Sequence, residues 1–269
     1  MMARAVRIGS VAMNAFREAV RARVLHALFA LSLATCAYAV LVAALSIHEE
    51  LRVVADLGAA AISLSAALVA IVLGSTTLHR EIEYKTIFPM LTRALRRHEY
   101  LVGKYLGTLL TIAVFVAIEG AVVLAVLAVE SGGRFAVAGA DMRLVFASCV
   151  LTLCESAIVV GLTTVFASFS SPALTAVFST GAFLVGRHAD ALAHLPSRYF
   201  PGTGRAAGRA LSFVFPNLNL YAPPRALLLG EVQETPLWPF VAGAAQNALL
   251  YAVLLVTMGA LLFQRRDFP

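Results

Sequence analysis

Two carboxylates, Glu119 and Glu155, stand inside long apolar runs, Tyr105–Val129 and Arg143–Phe169. A charged side chain at the centre of a bilayer costs on the order of 3 kcal/mol or more, so such residues face a bundle interior or a wet cavity. On antiparallel neighbours the two would share a depth. Glu119 is 14 residues past Tyr105, about 21 Å at 1.5 Å per residue, and Glu155 is 13 residues before Ser168, about 20 Å. Glu155 also shares a helix face with Ser148, Thr152, Ser156 and Thr163. Glu119 and Glu155 therefore form a candidate intramembrane polar site. Two chemistries are open: a hydrogen bond that holds the two runs together, or a proton shared between carboxyls on a translocation route.

Other chemistry-bearing patterns stop short of a site. Gly103-Lys104 is followed by Tyr105, and no glycine stands five residues earlier to build a phosphate-cradling loop. His98-Glu99 begins like a zinc-protease motif, but Val102 stands where the second histidine is required. Gly202-Thr203-Gly204 follows no buried strand. Cys36, Cys149 and Cys154 all lie in apolar runs, the last two on different helix faces, and read as small packing residues. No catalytic set and no metal-ligand set is expected, so the chain is not read as an enzyme.

The elements that must position the two carboxylates follow from composition. The chain has 269 residues, 60% of them hydrophobic and only 13% charged. Soluble domains carry about a quarter charged residues, so the class is an all-α integral membrane protein in a single domain over residues 1–269. Six spans are expected, at 24–47, 57–78, 105–129, 143–169, 172–195 and 240–263. A spanning helix needs about 20 residues for a hydrocarbon core of about 30 Å. The fifth apolar run is the shortest, and Arg187 and Asp190, three apart, would pair if its helix continued past them. Leu33-Ala34-Thr35-Cys36 faintly resembles a lipoprotein cleavage site, but the apolar run continues to Ile47 and reads as a span.

With six spans both termini share one side. The segments on that side hold 13 of the 21 Lys and Arg, which places both termini in the cytoplasm by the positive-inside bias. The net charge of +6 then reflects anionic lipid headgroups rather than nucleic acid. Residues 1–23 hold an interfacial helix: Val11, Ala15 and Ala19 with Ala12, Phe16 and Val20 make its apolar side, against Arg17, Glu18 and Arg21. The outer loop, 196–239, is expected to carry a short helix over Arg205–Phe215, stopped by Pro216, then a capped turn at Pro216-Asn217-Leu218-Asn219-Leu220. Its apolar surface is expected to fold back on the bundle.

The cytoplasmic segment 80–104 is far longer than a hairpin needs. It alternates Ile82, Ile87, Met90, Leu91 and Leu95 with Glu81, Glu83, Lys85, Arg93, Arg96 and Arg97. A helix with this pattern would dock an apolar side in a partner's groove; a solvated loop that only enforces topology fits the pattern equally.

Three segments in order carry a resemblance. They are Glu83-x-x-Thr86-Ile87 through Leu91 to Arg97-x-x-Tyr100-Leu101-Val102-Gly103-Lys104-Tyr105-Leu106-Gly107, then Pro216-Asn217-Leu218-Asn219-Leu220, and the ending Leu262-Phe263-Gln264-Arg265-Arg266-Asp267-Phe268. Together they resemble the ABC-2 type transporter permeases over the whole chain, most of all the branch associated with multi-copper enzyme maturation, the nitrous-oxide-reductase accessory type. The sequence departs from that pattern at Ala94-Leu95-Arg96-Arg97, where the family usually has a proline before the arginine. The resemblance implies the permease subunit of an inner-membrane exporter, paired with a second permease copy or paralogue. It implies a separate cytoplasmic ATPase that binds ATP and Mg, with no cofactor in this chain. Segment 80–104 would be the coupling helix, with Glu81, Glu83, Lys85, Thr86, Arg93 and Arg97 at the ATPase contact. An anchor or assembly subunit that transmits ATPase motion without a substrate pore is the alternative.

Overall fold

The computed structural model describes residues 2–43, 50–83, 96–132, 135–194, 202–222 and 237–264. Within them the regular structure is entirely helical: α1 (Met2–Val20), α2 (Arg23–Ala43), α3 (Glu50–Glu83), α4 (Arg97–Glu130), α5 (Phe135–Ala167), α6 (Pro172–Arg187), α7 (Ala189–Ala193), α8 (Gly202–Val214), a 3₁₀ turn (Leu218–Tyr221) and α9 (Leu237–Gln264). Five of these helices, α2, α3, α4, α5 and α9, are long and apolar enough to cross a membrane. In hydrocarbon every backbone N–H and C=O must be bonded within the segment, and long unbroken helices meet that requirement.

α3 and α5 form the centre. Along Ala61–Ile71 only Leu64 and Leu68 of α3 are exposed. Its buried side is built from Ala55, Ala66, Ala67 and Ala70, with Gly58 and Gly74 where neighbours come closest. A Cβ at Gly74 would lie 2.1 Å from Thr163 Oγ1, and one at Gly58 2.8 Å from Val123 Cγ1. Helices in lipid are not driven together by the hydrophobic effect, so small residues that admit close backbone approach supply the packing instead.

The boundaries differ from the sequence expectation in informative ways. The helix expected over residues 1–23 runs from Met2 to Val20, and the chain breaks at Arg21-Ala22 before α2. α1 packs against the start of α4, where a Cβ at Gly103 would meet Val11 and one at Gly107 would meet Ala12 and Ala15. α3 and α4 run into both ends of the 80–104 segment, so only 84–96 separates the two helices. The expected fifth span, 172–195, is not one helix. Pro172 opens α6 at a position where its missing N–H costs nothing, and α6 ends at Arg187. Its 16 residues reach about 24 Å back along α5.

The break at His188 also corrects the expected Arg187–Asp190 pair. The two residues no longer share a continuous helix face, and Asp190 instead accepts hydrogen bonds from Asn217 Nδ2 at 2.8 Å and Asn219 Nδ2 at 2.7 Å. Asn217 Oδ1 in turn accepts from the Asn219 backbone N–H at 3.0 Å, which caps the 3₁₀ turn. Leu218 is thereby buried against Gly186. Among the described residues of segment 196–239, Leu218 and Tyr221 are buried and Phe215 packs against the core. In α8, which starts at Gly202 rather than Arg205, Phe213 is 91% exposed and Val214 72%.

The Gly74–Thr163 contact predicts a stability change. Gly74→Val should lower unfolding stability in detergent by about 1–3 kcal/mol through overpacking, and a Thr163→Ala change in the same chain should recover part of it. An unchanged unfolding midpoint for Gly74→Val would show that α3 and α5 do not meet there.

Candidate functional site: two buried carboxylates and a polar cavity

α3 presents Ser63 and Ser65 two residues apart. On a helix of 3.6 residues per turn that interval is about 200°, so the two hydroxyls point to opposite sides. Each reaches a different carboxylate. Ser65 Oγ donates to Glu119 Oε2 at 2.9 Å, and Ser63 Oγ donates to Glu155 Oε2 at 3.3 Å. Both glutamates are 1% exposed. The wall between them is α3 itself, and they are joined to it rather than to each other.

Their surroundings differ. Arg187, the last residue of α6, donates from Nη1 to Glu155 Oε1 and from Nη2 to Ser63 Oγ at 2.9 Å. One guanidinium thus ties α6 to α5 and α3. A buried pair of this kind holds geometry more than it adds net stability, but removing one member leaves a charge uncompensated. Glu119 has no such cation. Its Oε1 has no hydrogen-bond partner, and Ser32 of α2 lies beside the carboxyl without completing a bond. Cys36 and Cys149 border the same carboxyl.

The Glu155 side opens into a cavity of about 350 Å³ between α3 and α5. Asp56 and Ala59 line it from α3, Ser148 and Thr152 from α5, together with Arg187, Tyr221 and Ala222. The Tyr221 hydroxyl donates to Asn247 Oδ1 at 3.2 Å, tying the 3₁₀ turn to α9. A larger groove of about 600 Å³ runs between α4, α5 and α9, but no charged side chain lines it. Its Tyr105 hydroxyl is already bonded to the Ala157 carbonyl at 3.1 Å, and its Thr257 hydroxyl to the Val253 carbonyl. The smaller cavity is therefore the one with chemistry to offer.

At the end of the bundle where α1 lies and α9 ends, the first two turns of α4 form a clasp. Arg97 Nη1 donates to the Gln264 carbonyl at 3.1 Å, and Tyr100 stacks on Phe263 with centroids 6.3 Å apart. Glu99 accepts from its own helix start, the Arg96 N–H, at 3.3 Å and from Arg7 Nη2 at 3.1 Å. Lys104 Nζ lies 3.2 Å from Glu18 Oε2. α1 and α9 are both fixed to α4 here.

Of the expected coupling residues, Arg97 is the first residue of α4, and Glu81 and Glu83 belong to the last turn of α3. Lys85, Thr86 and Arg93 lie outside the described residues. Among the described residues no three His, Cys, Asp or Glu side chains come together. Sequence reasoning missed Ser63, Ser65 and the Arg187–Glu155 pair. Hydroxyls in the second apolar run were a visible signal; the reach of Arg187 back onto α5 depends on α6 ending where it does. Compared with protein-family models and with characterised proteins, the chain matches none.

The unequal surroundings predict unequal substitutions. Arg187→Leu or Glu155→Leu alone should each cost about 3–5 kcal/mol in unfolding stability, while the double change should cost far less than their sum. Glu119→Gln, which keeps an acceptor for Ser65 and adds a donor toward Ser32, should stay within about 1 kcal/mol of the parent. Additive losses for the first pair in detergent unfolding would show that Arg187 and Glu155 act independently.

Proposed function

We propose that this chain is the membrane-spanning permease subunit of an ATP-binding-cassette exporter, working with a separate cytoplasmic ATPase and a second permease copy or paralogue in the inner membrane. The observation that carries this reading is the clasp. Segment 84–96 is short and continuous on each side with a 34-residue helix. The helix that follows it holds α1 and α9 within its first two turns. A partner that moved this segment would therefore move three helices at once. The three sequence segments that resemble ABC-2 permeases include this clasp, the Asn217–Asn219 turn and the end of α9, and each of those places carries specific contacts.

In this reading both termini and segment 84–96 are cytoplasmic, and the cavity at the opposite end opens outward. Glu81, Glu83, Lys85, Thr86, Arg93 and Arg97 would make the ATPase contact. ATP and Mg would bind in the partner, in keeping with the missing phosphate loop. A second reading, an anchor or assembly subunit that transmits motion without a pore, is favoured by the close seam at Gly74 and Thr163, beside which only about 20 Å³ of space lies among α3, α4 and α5.

Two measurements test the proposal. Reversing charge at Glu83 and Arg97 together should lower permease-stimulated ATPase turnover by roughly tenfold, or release the ATPase during purification, while membrane insertion is kept. Wild-type turnover with the ATPase retained would overturn the docking role. In a cysteine-free background, Ser131→Cys and Thr203→Cys should react with an impermeant thiol reagent on intact cells and Thr92→Cys should not. Labelling at position 92 would reverse the orientation.

A further inference from the structure

The 350 Å³ cavity between α3 and α5 has a carboxylate, Asp56, and a guanidinium, Arg187, in its lining, the guanidinium also being bonded to Glu155. Asp56 and Ser63 stand seven residues apart on one face of α3, two turns, or about 10 Å. The Arg187 guanidinium sits at the Ser63 level, 2.9 Å from its hydroxyl. A carboxylate and a guanidinium thus face one cavity about two helical turns apart. Between them Ala59 supplies an apolar wall on one side, and Ser148 and Thr152, one turn apart on α5, supply hydroxyls on the other. The volume lies at the small end of the range that ligand pockets occupy, roughly 300–1,000 Å³.

We propose that this cavity binds an extended small zwitterion, with its cationic group at Asp56 and its carboxylate at Arg187. The guanidinium carries five N–H donors; Nη1 serves Glu155 and Nη2 serves Ser63. The Arg187 side chain keeps 24% of its surface on the open side, which leaves donors for a ligand carboxylate. Of the charged groups that line the cavity, Asp56 opposes a simple anion and Arg187 opposes a simple cation, so a molecule bearing both charges at the matching separation is favoured over either. Among its contacts Asp56 lies 4.0 Å from Arg52, with both side chains about half exposed. A surface contact of this kind is weak and can yield to a ligand ammonium group. The middle of the ligand would be a flexible or hydroxyl-bonded chain, set between the Ser148 and Thr152 hydroxyls and the apolar Ala59 and Leu144. This inference goes beyond the permease reading and is testable on the full chain without any ATPase.

The test is calorimetric titration of the purified chain in lipid nanodiscs, with empty nanodiscs as control. The probes are free glycine, γ-aminobutyrate, ε-aminocaproate, hexylamine and hexanoate. Affinity should rise with charge separation from glycine to ε-aminocaproate. Each single-charge analogue should bind roughly tenfold or more weakly than ε-aminocaproate, as expected for loss of one charge-assisted contact. Asp56→Asn, at the exposed mouth, should keep the parent unfolding midpoint, weaken ε-aminocaproate, and tighten hexanoate, so that the two bind with about equal affinity. Thr152→Val should weaken all ligands without changing their order. Equal binding of hexylamine and ε-aminocaproate, no dependence on chain length, no binding at millimolar concentration, or binding that survives both substitutions would each overturn the proposal.

Discussion

One guanidinium organises the interior. Arg187 donates to Glu155 and Ser63 together, and that contact fixes the end of α6 relative to α5 and α3. A charge placed this deep has few acceptable positions, because leaving Glu155 would strand two ions in a medium that solvates neither. Everything at that end of the bundle is set by the choice. Arg187 ends α6, so Gly186 lies against Leu218 and the Pro216 carbonyl, and the chain after α8 must return here. Asp190 then finds Asn217 and Asn219, and Tyr221 reaches Asn247 on α9.

The opposite end is organised by a different kind of contact. α1 is amphipathic and lies on α4 through two glycines, with an ion pair near each end of the contact, Arg7–Glu99 and Glu18–Lys104. Neither pair is wholly exposed: Glu99 is 2% exposed at its side chain and Lys104 7%. Exposed ion pairs contribute little, but a buried partner with a capped helix start beside it directs orientation. Between the two ends the bundle is held by dispersion across small residues, with no polar bond needed where α3 and α5 pass at Gly74.

Much of this was legible in the sequence because a membrane interior permits few backbone arrangements. The helical class and the long apolar elements followed from run length alone, and the 3₁₀ turn and the stop at Pro216 followed from local rules of capping and proline geometry. The stripe of Ser148, Thr152 and Glu155 was visible too, and two of its hydroxyls line the cavity. What was hidden depended on partners distant in sequence. Depth arithmetic put Glu119 and Glu155 at one level, yet it contains no information on azimuth, and the 200° between Ser63 and Ser65 sends them to opposite sides of α3. The pairing of Arg187 was misread because i,i+3 spacing assumes an unbroken helix, and the helix breaks at His188. Phe213 and Val214, whose apolar surface was expected to fold back on the bundle, lie exposed at the end of α8 while Phe215 packs inward.

α3 has a mechanical consequence. It is a single helix of 34 residues, about 50 Å long, against a hydrocarbon thickness of about 30 Å. Its two carboxylate contacts, at Ser63 and Ser65, hold it from opposite sides at one level. From there the arm to Glu83 is about 28 Å and the arm to Asp56 about 12 Å. A rigid rod pivoting at the serines would turn a displacement of about 4 Å at the long end into about 2 Å at the mouth of the cavity, in the opposite direction. The short arm moves less but with proportionally greater force, the arrangement of a lever geared to squeeze rather than to sweep.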